Sequence, residues 1–203
     1  VLASAFLGAQ LQCARCHDSP YHETKQRDLF SLAAMMSRKS VTVPKSSTVA
    51  AGFFEKNSGR ESLITVTLKP GVPVEPSWPF DDLLEDARSL DELMHDPRDA
   101  RERLAASVTA PWNKRFAQVM VNRLWKRLIG AGIVEPADDW EIGLPSHPEL
   151  LDWLASELIT SGYDAKHVVR LIMNSKLYQR EAVGQNRHAD AYQRYFAAPE
   201  RRR

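Results

Sequence analysis

Five prolines fall between Ser40 and Phe80, at Pro44, Pro70, Pro73, Pro76 and Pro79, and no other feature constrains the fold as strongly. Each lacks a backbone donor, clashes with the preceding turn of a helix and drives the residue before it toward extended backbone. No long helix fits this stretch. The segment "KPGVPVEPSWPF" reads as an extended linker and marks a domain boundary near residue 80. Within the same stretch "SLITVTL", Ser62 to Leu68, alternates with β-branched residues and predicts a strand. Ser40 to Val43 is a second extended piece, and the two together suggest a hairpin.

The flanks carry helical periodicity instead. In the opening segment Leu2, Phe6 and Ala9 follow helical spacing, and Leu29, Phe30, Leu32, Ala33 and Met36 form an apolar stripe of the same period. From Asp82 onward the pattern is helical almost to the end. Asp96-Pro97 has the form of a helix start. A helix from Asn113 to Ile129 aligns Phe116, Met120, Leu124 and Leu128, with Val121 and Trp125 beside them, and stops at Gly130 or Gly132. Ser146-His147-Pro148-Glu149 has capping-box spacing and opens a helix with Leu150, Leu151, Leu154 and Leu158, closed by Gly162. Asp164 caps a last helix bearing Val168, Leu171 and Ile172. The expected fold is therefore mainly α: N-terminal helices around the cysteine motif, a short β or extended proline-rich middle, and a C-terminal helical bundle. The corresponding domains are 1–80 and 81–203.

Charge excludes several partners. Lys and Arg number 27 against 26 Asp and Glu, a formal net charge of +1, so no overall field steers the chain to nucleic acid or anionic lipid. No apolar run approaches the roughly 18 residues of a membrane span. The opening lacks the basic region and cleavage pattern of a signal peptide. The chain begins inside a helical pattern and stops on a charged run, where Tyr192, Tyr195 and Phe196 call for a partner surface, and it reads as a piece of a longer protein.

The only two cysteines lie in "LQCARCHDSPYH", with two of the six histidines. Cys13, Cys16 and His17 have the Cys-x-x-Cys-His order of covalent haem attachment, in which two thiols one turn apart reach the porphyrin vinyl groups and the next imidazole ligates the iron. Three other uses stay open. Zinc would draw on Cys13, Cys16, His17 and His22, without the second cysteine pair common in structural sites. A redox dithiol would lack its usual βαβ setting. A local disulfide, or two small buried thiols, is the plainest use. A haem at His17 needs its sixth ligand from elsewhere or leaves that position open; Met35, Met36, His95, His147 and His167 qualify by type alone.

Two stretches resemble known families. "FLGAQLQCARCHDSPYHETKQRDLFSLAAMM" resembles the end of a cytochrome-c-like domain of unknown function abundant in planctomycetes. "NKRFAQVMVNRLWKRLIGAGIVEPADDWEIGLPSHPELLDWLASELITSGYDAKHVVRLIMNSKLYQRE" is similar to the partner domain, also of unknown function, that follows it in large exported proteins. The resemblance implies an extracytoplasmic setting, the remaining domains of the same protein as partners, and an association with electron transfer through redox partner proteins. Cys13, Cys16 and His17 match the family's motif by position. The motif commonly continues His-Asp-His-Pro, whereas Ser19 follows Asp18 here; the second histidine is absent or its role falls to His22.

The leading expectation is thus a c-type haem-binding or cytochrome-like redox module fused to a helical interaction domain. The alternative is a non-catalytic scaffold whose motif serves structural zinc or a disulfide, with zinc or no cofactor. A third, weaker reading as a hydrolase would rest on Asp138-Asp139-Trp140, which equally reads as a turn; no catalytic constellation is identifiable. Asn122 and Arg123 interrupt an apolar helix face; a buried polar contact with the loop after Pro136 is one reading, and a structural hydrogen bond or a solvated side is the preferred one. Trp112, Trp125, Trp140 and Trp153 are expected as core and interface anchors.

Overall fold

The computed structural model describes residues 1–45, 64–84, 90–181 and Phe196. It is mainly helical, with six α-helices and one two-stranded sheet among the described residues. The chain forms two compact units, one made of Val1–Ala9 with Lys114–Arg203 and the other of Gln10–Asn113.

In the first unit, helix α1 (Leu2–Leu7) ends at Gly8, whose φ of 65° is left-handed and suits glycine. Ala3 and Leu7 are buried where α1 packs against the long helix, here α4 (Lys114–Ile129). Helix α5 (Pro148–Thr160) and helix α6 (Ala165–Met173) complete the packing. The core joins Ala117, Val121, Trp125 and Ile129 to Leu151, Leu154, Leu158, Val168 and Ile172. This buried stripe lies one residue over from the expected Phe116, Met120, Leu124, Leu128 row. A shift of one residue turns a helix by about 100°, and Met120, Leu124 and Leu128 of that row flank the core instead. Leu128 leads to Gly130, where φ of 112° stops the helix as expected.

Two expected caps behave differently. Asp164 caps α6 by accepting the N–H of Lys166 at 2.8 Å. Ser146 does not cap α5; its hydroxyl donates to the Ile133 carbonyl at 3.0 Å, and His147 stands at the cap position. Phe196 finds the surface it lacked in sequence, 5.1 Å from Trp125 and 5.1 Å from His147 between ring centroids. Tyr192 and Tyr195 lie outside the described residues. Trp125 is a core anchor, but Trp153 is 48% exposed and is not one.

In the second unit, helix α2 (Gln26–Ser37) packs against helix α3 (Ala100–Thr109) and against the small sheet. Strand β1 (Val41–Thr42) does form, but its partner is β2 (Pro73–Val74), antiparallel, with Val41 opposite Val74. Pro73 lacks a donor, and a two-stranded ladder has the free edge that tolerates it. The strand expected over Ser62 to Leu68 is absent from its described part: Ile64 to Thr67 carry no ladder and Leu68 is a bend, for a reason given below. Ser62 and Leu63 lie outside the described residues. Phe30, Val43, Leu68 and Val74 form the core beside this sheet.

The described residues between Asp82 and Asp99 contain only short 3-10 turns, Asp81–Leu83 and Leu90–Leu93. Helix α3 starts three residues after Asp96-Pro97, because Asp99 rather than Asp96 accepts the first amides, from Arg101 at 2.8 Å and Glu102 at 3.4 Å. Asp99 also pairs with Arg38 at 2.9 Å. Partial burial works against its charge, but these amides and the two arginines outweigh it and hold its carboxyl below the ordinary 3.8.

Candidate functional site

Cys13 opens a single 3-10 turn, Cys13–Arg15. Its carbonyl accepts the N–H of Cys16 at 3.1 Å and of His17 at 3.2 Å, which carries the chain round so that the two cysteines stand one turn apart. Ala14 is fully buried beneath the turn; a larger residue there would push the turn off α2, against which it packs. Cys13 and Cys16 are half-buried free thiols.

His17 is half-buried, with its Nδ1 at 2.7 Å from the carbonyl oxygen of Asp18. A carbonyl oxygen only accepts, so this contact requires the hydrogen on Nδ1, and a neutral ring held this way carries its lone pair on Nε2. His22 is held differently. Ser19 Oγ accepts the N–H groups of Tyr21 at 3.4 Å and His22 at 3.1 Å, and lies 3.0 Å from His22 Nδ1. Ser19, the residue that departs from the family motif, therefore anchors His22 within its own turn. Among the described residues no three His, Cys, Asp or Glu side chains converge to hold a metal ion, and the set Cys13, Cys16, His17 and His22 is not gathered into one.

Three residues that the motif did not single out complete the site. The Asp18 N–H donates to the Thr65 carbonyl at 2.8 Å. Asp18 Oδ1 accepts from the Gln26 N–H at 2.9 Å and from the Thr67 hydroxyl at 2.8 Å. The Gln26 side chain, 0% exposed, accepts the N–H groups of Thr67 at 3.1 Å and Leu68 at 3.0 Å through one oxygen. One oxygen that takes two consecutive amides turns the chain at Leu68 and withdraws both donors from a ladder. A carboxylate directly after His17 was a local clue to Asp18. Thr67 stands 49 residues away from it in sequence, and nothing in its own surroundings marks it.

Close to this site, burial raises the Asp28 carboxyl above the ordinary 3.8, against the pull of the Lys25 amide and charge. Its Oδ2 accepts the Lys25 N–H at 2.7 Å, closing the entry to α2.

The other candidates resolve into structural roles or lie apart by type. Asn122, fully buried, donates to the Val134 carbonyl and accepts the Val134 N–H, both at 3.0 Å. Arg123 donates to the Ser4 carbonyl at 2.9 Å. Asp138 lies in a turn, and the Asp139 N–H donates to the Pro136 carbonyl at 3.2 Å. Trp140 donates through Nε1 to the Ala137 carbonyl at 3.1 Å, and Arg115 lies over its ring at 5.1 Å. Met35 is buried, Met36 and His95 are exposed. His147 lies 3.1 Å from Ser146 Oγ, and His167 Nε2 is 2.8 Å from Glu157 Oε2. No described helix is long and apolar enough to cross a membrane.

Two family models match the chain. One, described as a protein of unknown function (DUF1549), matches residues 1–40 and so takes in the cysteine motif. The other matches residues 100–203, and both are unknown-function domains of planctomycete type. No curated protein and no solved structure matches the chain. Because residues 100–203 are just over half of its length, the chain belongs to the PSD1 family, proteins of unknown function (DUF1553).

Proposed function

We propose that Cys13, Cys16 and His17 are a c-type haem attachment site, and that the chain is a cytochrome-like redox module joined to a helical interaction domain in an extracytoplasmic protein. The observation that carries this reading is the His17 imidazole, whose Nδ1–H is committed to the Asp18 carbonyl at 2.7 Å. That bond leaves Nε2 as an oriented neutral donor, the form in which imidazole ligates iron. The donor set fits as well: both thiols are free and half-exposed at one turn.

Haem, when bound, supplies one-electron redox chemistry. The chain's own residues do the rest. Cys13 and Cys16 would hold the haem through thioethers: each S–H would add across a vinyl double bond, the sulfur to one carbon and the hydrogen to the other, with no outside oxidant once the thiols are reduced. His17 would offer Nε2 as the iron ligand. The helical domain docks the module to the remaining domains of the larger protein or to redox partner proteins.

The test is expression of the chain in a periplasm equipped for c-type haem maturation. Intact mass and a pyridine haemochrome spectrum should show one haem per chain, with the adduct lost in the Cys13→Ser, Cys16→Ser double variant. A bare polypeptide mass under conditions that mature a control cytochrome overturns the reading. Stoichiometric zinc with protected thiols would replace it by the structural scaffold.

A further inference from the structure

We infer that Asp18 is the positioning residue of His17, and that Thr67 and Gln26 form a latch which selects the tautomer of its imidazole. The inference rests on the haem reading for its purpose, since a ligand needs Nε2 free, but its geometry stands on the chain alone.

The His17 ring is oriented by one acceptor, the carbonyl of Asp18, so what fixes that carbonyl fixes the ring. A backbone group next to a mobile side chain would not hold a preference by itself. In water a neutral imidazole favours the hydrogen on Nε2, which is the opposite of what a ligand requires. Asp18, however, is tied at its N–H and at one carboxylate oxygen. Its N–H is spent on the Thr65 carbonyl at 2.8 Å. Its carboxylate takes the N–H of Gln26 at 2.9 Å and the hydroxyl of Thr67 at 2.8 Å. Hydrogen bonds to an ionised acceptor are the stronger kind. These contacts fix the Asp18 Cα, and the peptide that carries its carbonyl is held at its far end by the Ser19 N–H, which donates to the Thr24 carbonyl at 2.9 Å.

The latch reaches further through Gln26. Its buried amide oxygen holds the N–H groups of Thr67 and Leu68 at 3.1 and 3.0 Å, which sets where the Thr67 hydroxyl stands. The route from Gln26 to His17 thus has four parts: the Gln26 amide, the Thr67 hydroxyl, the Asp18 carboxylate and the Asp18 carbonyl. The hydrogen bonds that join them all lie within one compact unit. Ligating histidines are commonly oriented by a hydrogen bond from their other nitrogen; what is specific to this chain is that the orienting carbonyl is itself held by a segment 49 residues distant.

The experiment reads the tautomer directly, in the haem-free chain labelled with 15N-histidine. Long-range proton–nitrogen correlation in mildly alkaline buffer separates Nδ1–H from Nε2–H rings. Wild type should show His17 with the Nδ1–H pattern. Thr67→Val, which removes the hydroxyl but keeps the shape, should move it toward the Nε2–H pattern, and Thr67→Ser should restore it. Gln26→Ala should act in the same direction. Backbone amide spectra keep a loss of folding apart from a loss of the latch. An Nε2–H pattern in wild type, or an unchanged ring in folded Thr67→Val, overturns the inference. The haem-loading experiment fails or succeeds separately: a bare mass together with the Nδ1–H pattern removes the haem reading and leaves the latch standing.

Discussion

Asn122 is a buried side chain on which two backbone groups of a loop depend. Its amide satisfies both the N–H and the C=O of Val134 at 3.0 Å in a place without access to water. Asn122→Ala leaves two buried backbone groups without partners, at about 1–3 kcal/mol each before relaxation. The expected result is a loss of roughly 2–4 kcal/mol, read as a lower urea midpoint with little change in slope. Asn122→Asp should do no better, because it keeps the acceptor, loses the donor and buries a charge. A polar pair inside an apolar helix stripe left two readings open in sequence, a structural hydrogen bond or a solvated side, and Asn122 takes the first. Its partner was not, since the loop expected to receive it starts after Pro136 while the actual acceptor lies before it. At the cysteine turn the order of the three motif residues was equally legible. What holds them was hidden, because Asp18, Gln26 and Thr67 meet only through the fold.

Among the elements, the close of α1 is the most sensitive to a small change. Gly8 has a left-handed φ, and its carbonyl accepts the Trp140 N–H at 2.9 Å. A Cβ built there would run into Trp140 Cδ1 and Cγ. Gly8→Ala therefore meets both backbone strain and a wall of indole, and should cost about 2–3 kcal/mol. The expected readout is a lower melting temperature, with the loss reduced in a Gly8→Ala, Trp140→Ala double variant relative to additivity. Gly71, also at positive φ but with open space around its missing side chain, should feel only the first of these effects. Helix ends that rest on a residue's own chemistry, such as Gly130 and Asp164, could be read in advance. Those that rest on competition could not: Asp96 and Asp99 are the same residue type three positions apart, and the amide geometry chose the second. The strand expected at Ser62 to Leu68 failed similarly, since periodicity reports which faces are buried and not whether a ladder or a Gln26 oxygen receives the amides.

For the molecule as a whole, mainly α architecture follows from helical periodicity on both sides of a proline-rich middle. That α1 rests on α4, with Arg123 reaching Ser4 from 119 residues away, depends on tertiary packing that no local pattern carries. The pH profile belongs to this scale too. Asp99 sits below its ordinary 3.8 in the folded chain, so its contribution is complete above 3.8 and is lost as pH falls through the folded value. Asp99→Asn should be less stable than wild type at neutral pH, and the gap should narrow in acid denaturation series. Burial raises the Tyr163 phenol above 10.0, so the folded chain holds that proton longer than the unfolded one. Stability should fall as pH rises from 10.0 toward the folded value, and Tyr163→Phe should lack that part of the decline. The Asn122 bond to Val134 has one more consequence, in the time domain. The Val134 amide belongs to an irregular loop, yet its acceptor is a fully buried side chain on the long helix. Its hydrogen should exchange with solvent at the pace of the helical core, only when the unit opens as a whole, so one loop amide becomes a clock for the integrity of that unit's four helices.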